Sequence, residues 1–199
     1  MPSLRNAINQ AISICWNETI GWKNGGMAYS SSDGVDCSGL VGRVLSDNGF
    51  NYPSQHIGTY YMKPYLRNAG FNIIPVTNYH PILQAGDIIV MNHPLGQGGH
   101  TFFYMENIQG YTDPSADTDT IGNVSQCKVE SSSDRGHSAD GDHRKNGTGA
   151  YWEVWVHAYS SLFGNYDPTD PNDEIYIARY RGGLNGLDFR KKVLVTLLK

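Results

Sequence analysis

The stretch GVDCSGLVGRVLSDNGF, residues 34–50, sets a cysteine beside an aspartate just ahead of an apolar periodicity. Leu40, Val41, Val44 and Leu45 recur at helical spacing and Asn48-Gly49 is a stop signal, so the stretch predicts a helix from about Cys37 to Asp47. Cys37 then stands at the helix mouth, where unpaired N–H groups and the positive end of the dipole favour a thiolate. Free cysteine is often only a small buried hydrophobe, and the other two fit that description. Cys15 lies on an apolar helix stripe, and Cys127 alternates with Val129 on a strand pattern. Three cysteines cannot all pair, and none forms a C-x-x-C unit. Cys37 is the one that packing does not explain.

Working outward, residues 1–21 read as an amphipathic helix with Ser3 as N-cap and Leu4, Ala7, Ile8, Ala11, Ile12, Cys15 and Trp16 as its stripe. Asn, Gln and Glu interrupt this segment throughout, so it is not expected to be a signal peptide. A Gly- and Ser-rich loop over 21–35 follows. A further helix is expected across IGTYYMKPYLRNAGF (57–71), kinked or restarted at Pro64 and ended by Gly70. Beyond it the period changes. Residues 86–92, 100–107, 126–133, 151–159 and 174–181 are short, β-branched and aromatic, and bounded by turn residues. Helices first and strands afterwards predict an α+β fold with a mainly antiparallel sheet of five to six strands. One domain over 1–185 is expected, with 186–199 as a tail that reads equally as helix, strand or linker.

The bulk numbers exclude some classes. At 199 residues one domain can bury a real core. A net charge of -4, with no basic stripe carrying interleaved aromatics, argues against nucleic acid as a partner. No apolar run reaches the roughly 18 residues of a membrane span, so no membrane partner is expected.

A helix dipole contributes only about 0.3–1 kcal/mol to an exposed thiolate, so a nearby base must do most of the activation. His100 is the best candidate. It opens a strand directly after Gly98 and Gly99, where a ring can face a cleft and the backbone at Gly99 can bend to admit substrate. His93 lies at the far end of the preceding strand. His56, His80, His137, His143 and His157 have less telling contexts.

DCSGLV at a helix start, then AGDIIVM, then GGHTFFYMEN, preceded by GWKNGG, together resemble the NlpC family of papain-like peptidases. The resemblance covers roughly residues 15–132, and the later strands, ending EIYIARYR, are most like phage-encoded members. It implies an NlpC-type fold and hydrolysis of an amide in bacterial cell-wall peptides without a cofactor. Cys37 would be the nucleophile and His100 the general base. The third polar residue of the family aligns with Glu130, a departure from the histidine or neutral residue usual there; Glu106 is the fallback. A carboxylate at Glu130 would orient the imidazole and stabilise its cation. Trp22 stands where members carry a tyrosine near the oxyanion, and its indole N–H, or the Tyr29 hydroxyl, would donate in that direction. The Cys37 backbone N–H would be the main oxyanion contact. Asp36 and Ser38 would help hold the free amino end of a stem peptide, and they also suit an N-cap and first turn.

By the same resemblance the partner is peptidoglycan, with other phage tail or lysis proteins as further partners. The site of action would be the bacterial wall, reached by a lysin or by a lytic part of a virion. Endopeptidase and muramoyl-alanine amidase chemistry both remain open. Two rivals stand beside this reading. One is a metal enzyme using the His- and Asp-rich stretches at 131–147 and 166–174, which lack fixed ligand spacing. The other is a binding protein that kept the fold without the activity.

Overall fold

In the computed structural model, which describes residues 1–17, 20–27, 29, 34–94, 98–105, 126–132, 149–155 and 163–183, helix α1 (Leu4–Asn17) starts where the Ser3 hydroxyl accepts from the Asn6 N–H at 3.3 Å. Its buried stripe is Leu4, Ala7, Ile8, Ala11 and Ile14. Ile14 takes the place expected for Ile12, which is only partly buried. At roughly 100° per residue both lie about 80° from the stripe's centre, on opposite flanks, so packing chooses between them. The side chains of Cys15 and Trp16 lie outside the described residues.

Helix α2 (Cys37–Asp47) has the expected bounds and buries Leu40, Val41, Val44 and Leu45 completely. Asn48 caps its end by donating to the Val44 carbonyl at 2.8 Å. Asn48 also donates to Gln10 Oε1 at 2.6 Å, and Gln10 donates to Asp47 at 2.8 Å, which ties α1 to the end of α2. The third helical region splits as Pro64 requires. A 3₁₀ turn over Thr59–Tyr61 leads into α3 (Met62–Asn68), and Pro64 falls in the first turn, where a missing N–H removes no helix bond.

Among the described residues the sheet has six strands, all antiparallel: β1 (Phe71–Pro75), β2 (Ile88–Asn92), β3 (Gly99–Met105), β4 (Gln126–Ser132), β5 (Gly149–Trp155) and β6 (Glu174–Tyr180). Their order is β1-β6-β2-β3-β4-β5, so the last strand returns between the first two. This is the α+β architecture the change of period predicts. Strand β1 is the one the sequence did not announce. It is a five-residue edge strand with Phe71 alone fully buried, and Pro75 at its end cannot donate to a ladder.

Strand alternation divides the core between two faces. On one, Ile88, Val90, Phe103, Met105, Val129, Tyr176 and Ala178 pack against α1 and α2. On the other, Ile89, Met91, Phe102, Tyr104, Ile175 and Ile177 are covered by Val76 and Phe163 from the connecting segments. The Gly86-Asp87 pair ahead of β2 belongs to this scaffold. Buried Asp87 receives both Nε and Nη2 of Arg179 at 2.9 and 2.8 Å, a charge-assisted fork that locks β2 to β6. No helix among the described residues is long and apolar enough to cross a membrane. The tail expected at 186–199 lies outside them.

Candidate active site

The start of α2 is held in place by one carboxylate. Asp36, only 5% exposed, caps the helix by accepting from the Gly39 N–H at 2.7 Å, and its other oxygen accepts from the Gly25 N–H at 2.7 Å. Ser38 Oγ donates to it at 3.0 Å, and His56 Nε2 lies 2.8 Å from it. The Asp36 N–H in turn donates to the Gly26 carbonyl at 3.2 Å. The two glycines of GWKNGG and the D-C-S-G turn are therefore one interlocked unit.

Gly39 shows how tight that unit is. A Cβ on it would stand 1.9 Å from the Gly26 carbonyl oxygen, closer than any real contact. Helix propensity alone says that alanine here gains about 1 kcal/mol. Overpacking against a backbone that cannot rotate away costs about 1–3 kcal/mol or more, and it wins. Gly39→Ala is expected to lower the melting temperature by several degrees; an unchanged or raised midpoint would contradict this packing.

Cys37 follows Asp36 as the first residue of α2 and is partly accessible. Its thiol donates to the carbonyl of Gly99 at 3.9 Å, which brings the sulfur to the first residue of β3, next in sequence to His100. Any larger residue at Gly99 would have to displace its neighbours. A Cβ there would lie 2.0 Å from Thr59 Oγ1 and 2.7 Å from Asn92 Oδ1. His100 itself is half-buried, pairs in register with Met91, and has its ring 5.9 Å from that of Phe102. Ser131 of β4 donates to the Val35 carbonyl at 2.7 Å and so steadies the chain two residues before the cysteine. Glu130 lies in β4 opposite Tyr151, one residue beyond the Phe103–Val129 pair and toward the His100 end of β3. Its carboxylate lies outside the described residues, as does all of Glu106.

Other expected site residues have partners of their own. Trp22 is 41% exposed on a bridge to Val35. The Tyr29 hydroxyl donates to the Ser54 carbonyl at 3.3 Å, with Arg43 stacked 5.3 Å from its ring centre. Asp36 and Ser38 both engage His56, a residue whose sequence context gave no hint of this.

A second imidazole–carboxylate pair was likewise not read from the sequence. His93, just after β2, has Nδ1 2.8 Å from Asp173 Oδ1, and its ring stacks on Tyr166 with centres 4.2 Å apart. A carboxylate only accepts, so Nδ1 carries the proton. Burial, then the negative charges of a Cys37 thiolate and of Asp173, push the Tyr166 phenol up to about 12. No motif marks the loop that supplies it.

Two other aspartates of the same loop accept from neighbours in their own turns, and Asp167 also accepts from the Tyr79 hydroxyl. Asp167 accepts from the Thr169 N–H and hydroxyl at 2.8 and 2.7 Å, and Asp170 accepts from the Asn172 N–H at 2.8 Å. Among the described residues no three His, Cys, Asp or Glu side chains gather as a metal site. The His- and Asp-rich stretch from 133 to 147 lies outside them. No protein-family model matches the chain, and no curated protein matches it in sequence.

Proposed function

We propose that the chain is a peptidoglycan hydrolase of the NlpC type, with a papain-like arrangement of helix and sheet, that cleaves an amide in stem peptides. One observation carries the reading: a partly accessible thiol at the first residue of a helix, against the strand start that bears a histidine. In the reaction Cys37 sulfur adds to the scissile carbonyl while His100 takes and later returns the thiol proton. The C–N bond breaks, the amine leaves with that proton, and water hydrolyses the thioester. The Cys37 backbone N–H, at the first position of the helix, is the proposed main donor to the developing oxyanion. Glu130 is the proposed orienting acid for His100. Action at the bacterial wall as a phage lysin or tail component rests on the resemblance alone.

Within this reading the bond is that of an endopeptidase. Cleavage between muramic acid and L-alanine is the second reading, and the Asp36 environment favours it. A carboxylate already accepting from two backbone N–H groups, Ser38 and His56 has little left for a free amino end.

Thiol and metal chemistry separate cleanly on purified peptidoglycan. Iodoacetamide is expected to stop the fall in turbidity, and EDTA to leave its rate within about twofold, since the thiol and imidazole supply the nucleophile and the base. Loss of activity in EDTA with recovery in Zn²⁺ would favour the metal enzyme. Loss of thermal stability alone would point to a structural ion.

A further inference from the structure

The residue before Cys37 and the residue before His100 are both held by one short segment, 56–59. At one end of it His56 Nε2 lies 2.8 and 3.0 Å from the two oxygens of Asp36, and 3.0 Å from Ser38 Oγ. A carboxylate only accepts, so Nε2 carries the proton and donates. Asp36 thus gathers donors from three separate stretches of chain: Gly25 upstream, Ser38 and Gly39 in α2, and His56. At the other end the Thr59 hydroxyl fills the space that a Cβ on Gly99 would need, and so lies directly against the first residue of β3. The chain between these two contacts is itself anchored. Ile57 is buried in the same core cluster as Val41 and Val44, and the Gly58 carbonyl accepts from the Tyr61 N–H at 2.9 Å to open the 3₁₀ turn. The circuit closes at the thiol, where the Cys37 sulfur meets the Gly99 carbonyl.

We propose that His56 and Thr59 are positioning residues that set the separation of Cys37 from His100. His56 acts through Asp36, which starts the helix that carries the sulfur. Thr59 acts through Gly99, which starts the strand that carries the imidazole. The inference rests on Cys37 and His100 being a nucleophile and its base. In that pair the thiol proton passes to the imidazole and leaves a thiolate beside an imidazolium. Their attraction falls with distance, so a strut that fixes the distance also fixes how much thiolate exists at neutral pH.

Alkylation by iodoacetamide reads the thiolate without the natural substrate: the ionised sulfur attacks carbon, the S–C bond forms and iodide leaves. The rate is followed on the Cys37 peptide by mass spectrometry. Near pH 6, His100→Ala is expected to slow it on the order of a hundredfold, as the midpoint of ionisation rises toward the roughly 8.5 of a free thiol. His56→Ala keeps the imidazole but lets it drift, and is expected to lose on the order of tenfold. His56→Gln, which places an amide N–H where Nε2 stood, should recover to within about threefold of wild type. Thr59→Ala should lose in the same way as His56→Ala, and supplies the test where His56→Ala does not fold. Above about pH 9.5 the thiol ionises unaided, and every folded variant should match wild type within about twofold. Adding His56→Ala to His100→Ala should cost nothing further, because the two act as one unit. A wild-type rate near pH 6 in His56→Ala or Thr59→Ala would overturn the proposal. So would a loss that persists at high pH, or one undiminished in the His100→Ala background. His100→Ala with an unchanged rate would remove the base and the strut together. A wild type inert toward peptidoglycan, but with this pattern intact, would sink the cell-wall reading alone.

Discussion

Cys37→Ala is expected to abolish release of peptidoglycan fragments while leaving the thermal midpoint within a few degrees of wild type. Among the described residues the thiol makes one long hydrogen bond, 3.9 Å to the Gly99 carbonyl, and such sulfur hydrogen bonds are weak. The residue is only partly buried, and alanine is a good helix former at the first position of α2. Little stability is therefore at stake. The expected chemical cost is complete, because the proposed thioester forms on the Cys37 sulfur; removing the nucleophile of a comparable triad costs about 10⁶ in kcat. Cys37→Ser should retain almost nothing, since a hydroxyl is far harder to ionise than a thiol at the same helix mouth. Lytic activity in Cys37→Ala equal to wild type would remove the mechanism.

Asp36→Ala should act in the opposite way, on the fold first and on activity through it. The substitution removes the cap of α2, strands the buried N–H of Gly39 and frees the Gly25 N–H of an exposed turn to water. A lost cap costs about 0.5–2 kcal/mol. A buried donor left without a partner costs about 1–3 kcal/mol. Both describe the one Gly39 donor, so the cost is about 1–3 kcal/mol, or roughly 2–12 °C for a chain of this length. Asp36→Asn should fall between, because it keeps one acceptor oxygen but turns an amide donor toward an existing donor. A calorimetric scan of the three proteins checks the order; Asp36→Ala melting within a degree of wild type would show that the carboxylate does not hold the helix start.

The parts of this molecule that were legible in the sequence are those in which a local pattern and a packed environment agree. The bounds of α2 follow from four apolar residues, an Asp cap and an Asn-Gly stop, all within 17 residues of chain. The strands from β2 to β6 announce themselves by β-branched and aromatic runs. Strand β1 does not, because an edge strand needs only one buried side chain and Phe71 supplies it. Ile12 and Ile14 were indistinguishable by periodicity, since a helix wheel is symmetric about its stripe.

At the site, the cysteine and the glycine-histidine turn carry recognisable local chemistry, so Cys37 and His100 stand out before any fold is known. His56, His93, Asp173 and Tyr166 do not. Each acts through partners 20 to 80 residues away, as Asp36–His56 and His93–Asp173 show, and only tertiary structure brings such pairs together. Asp36 was legible as a cap and not as the keystone of two loops, because the Gly25 N–H that it binds lies 11 residues upstream. The pairing of Gly39 with Gly26 gives GWKNGG and D-C-S-G a shared steric origin, in which one backbone runs directly against the other.

Mass spectrometry of fragments released from purified peptidoglycan in ¹⁸O-labelled water tests the central claim most directly. Cleavage by Cys37 and His100 predicts matched new ends, a free amine and a carboxyl bearing ¹⁸O, at one amide of the stem or at the muramoyl–alanine bond. Those ends should vanish when Cys37 is alkylated. Release of fragments with no cleaved amide, or the same labelled ends from protein fully alkylated at Cys37, would contradict it.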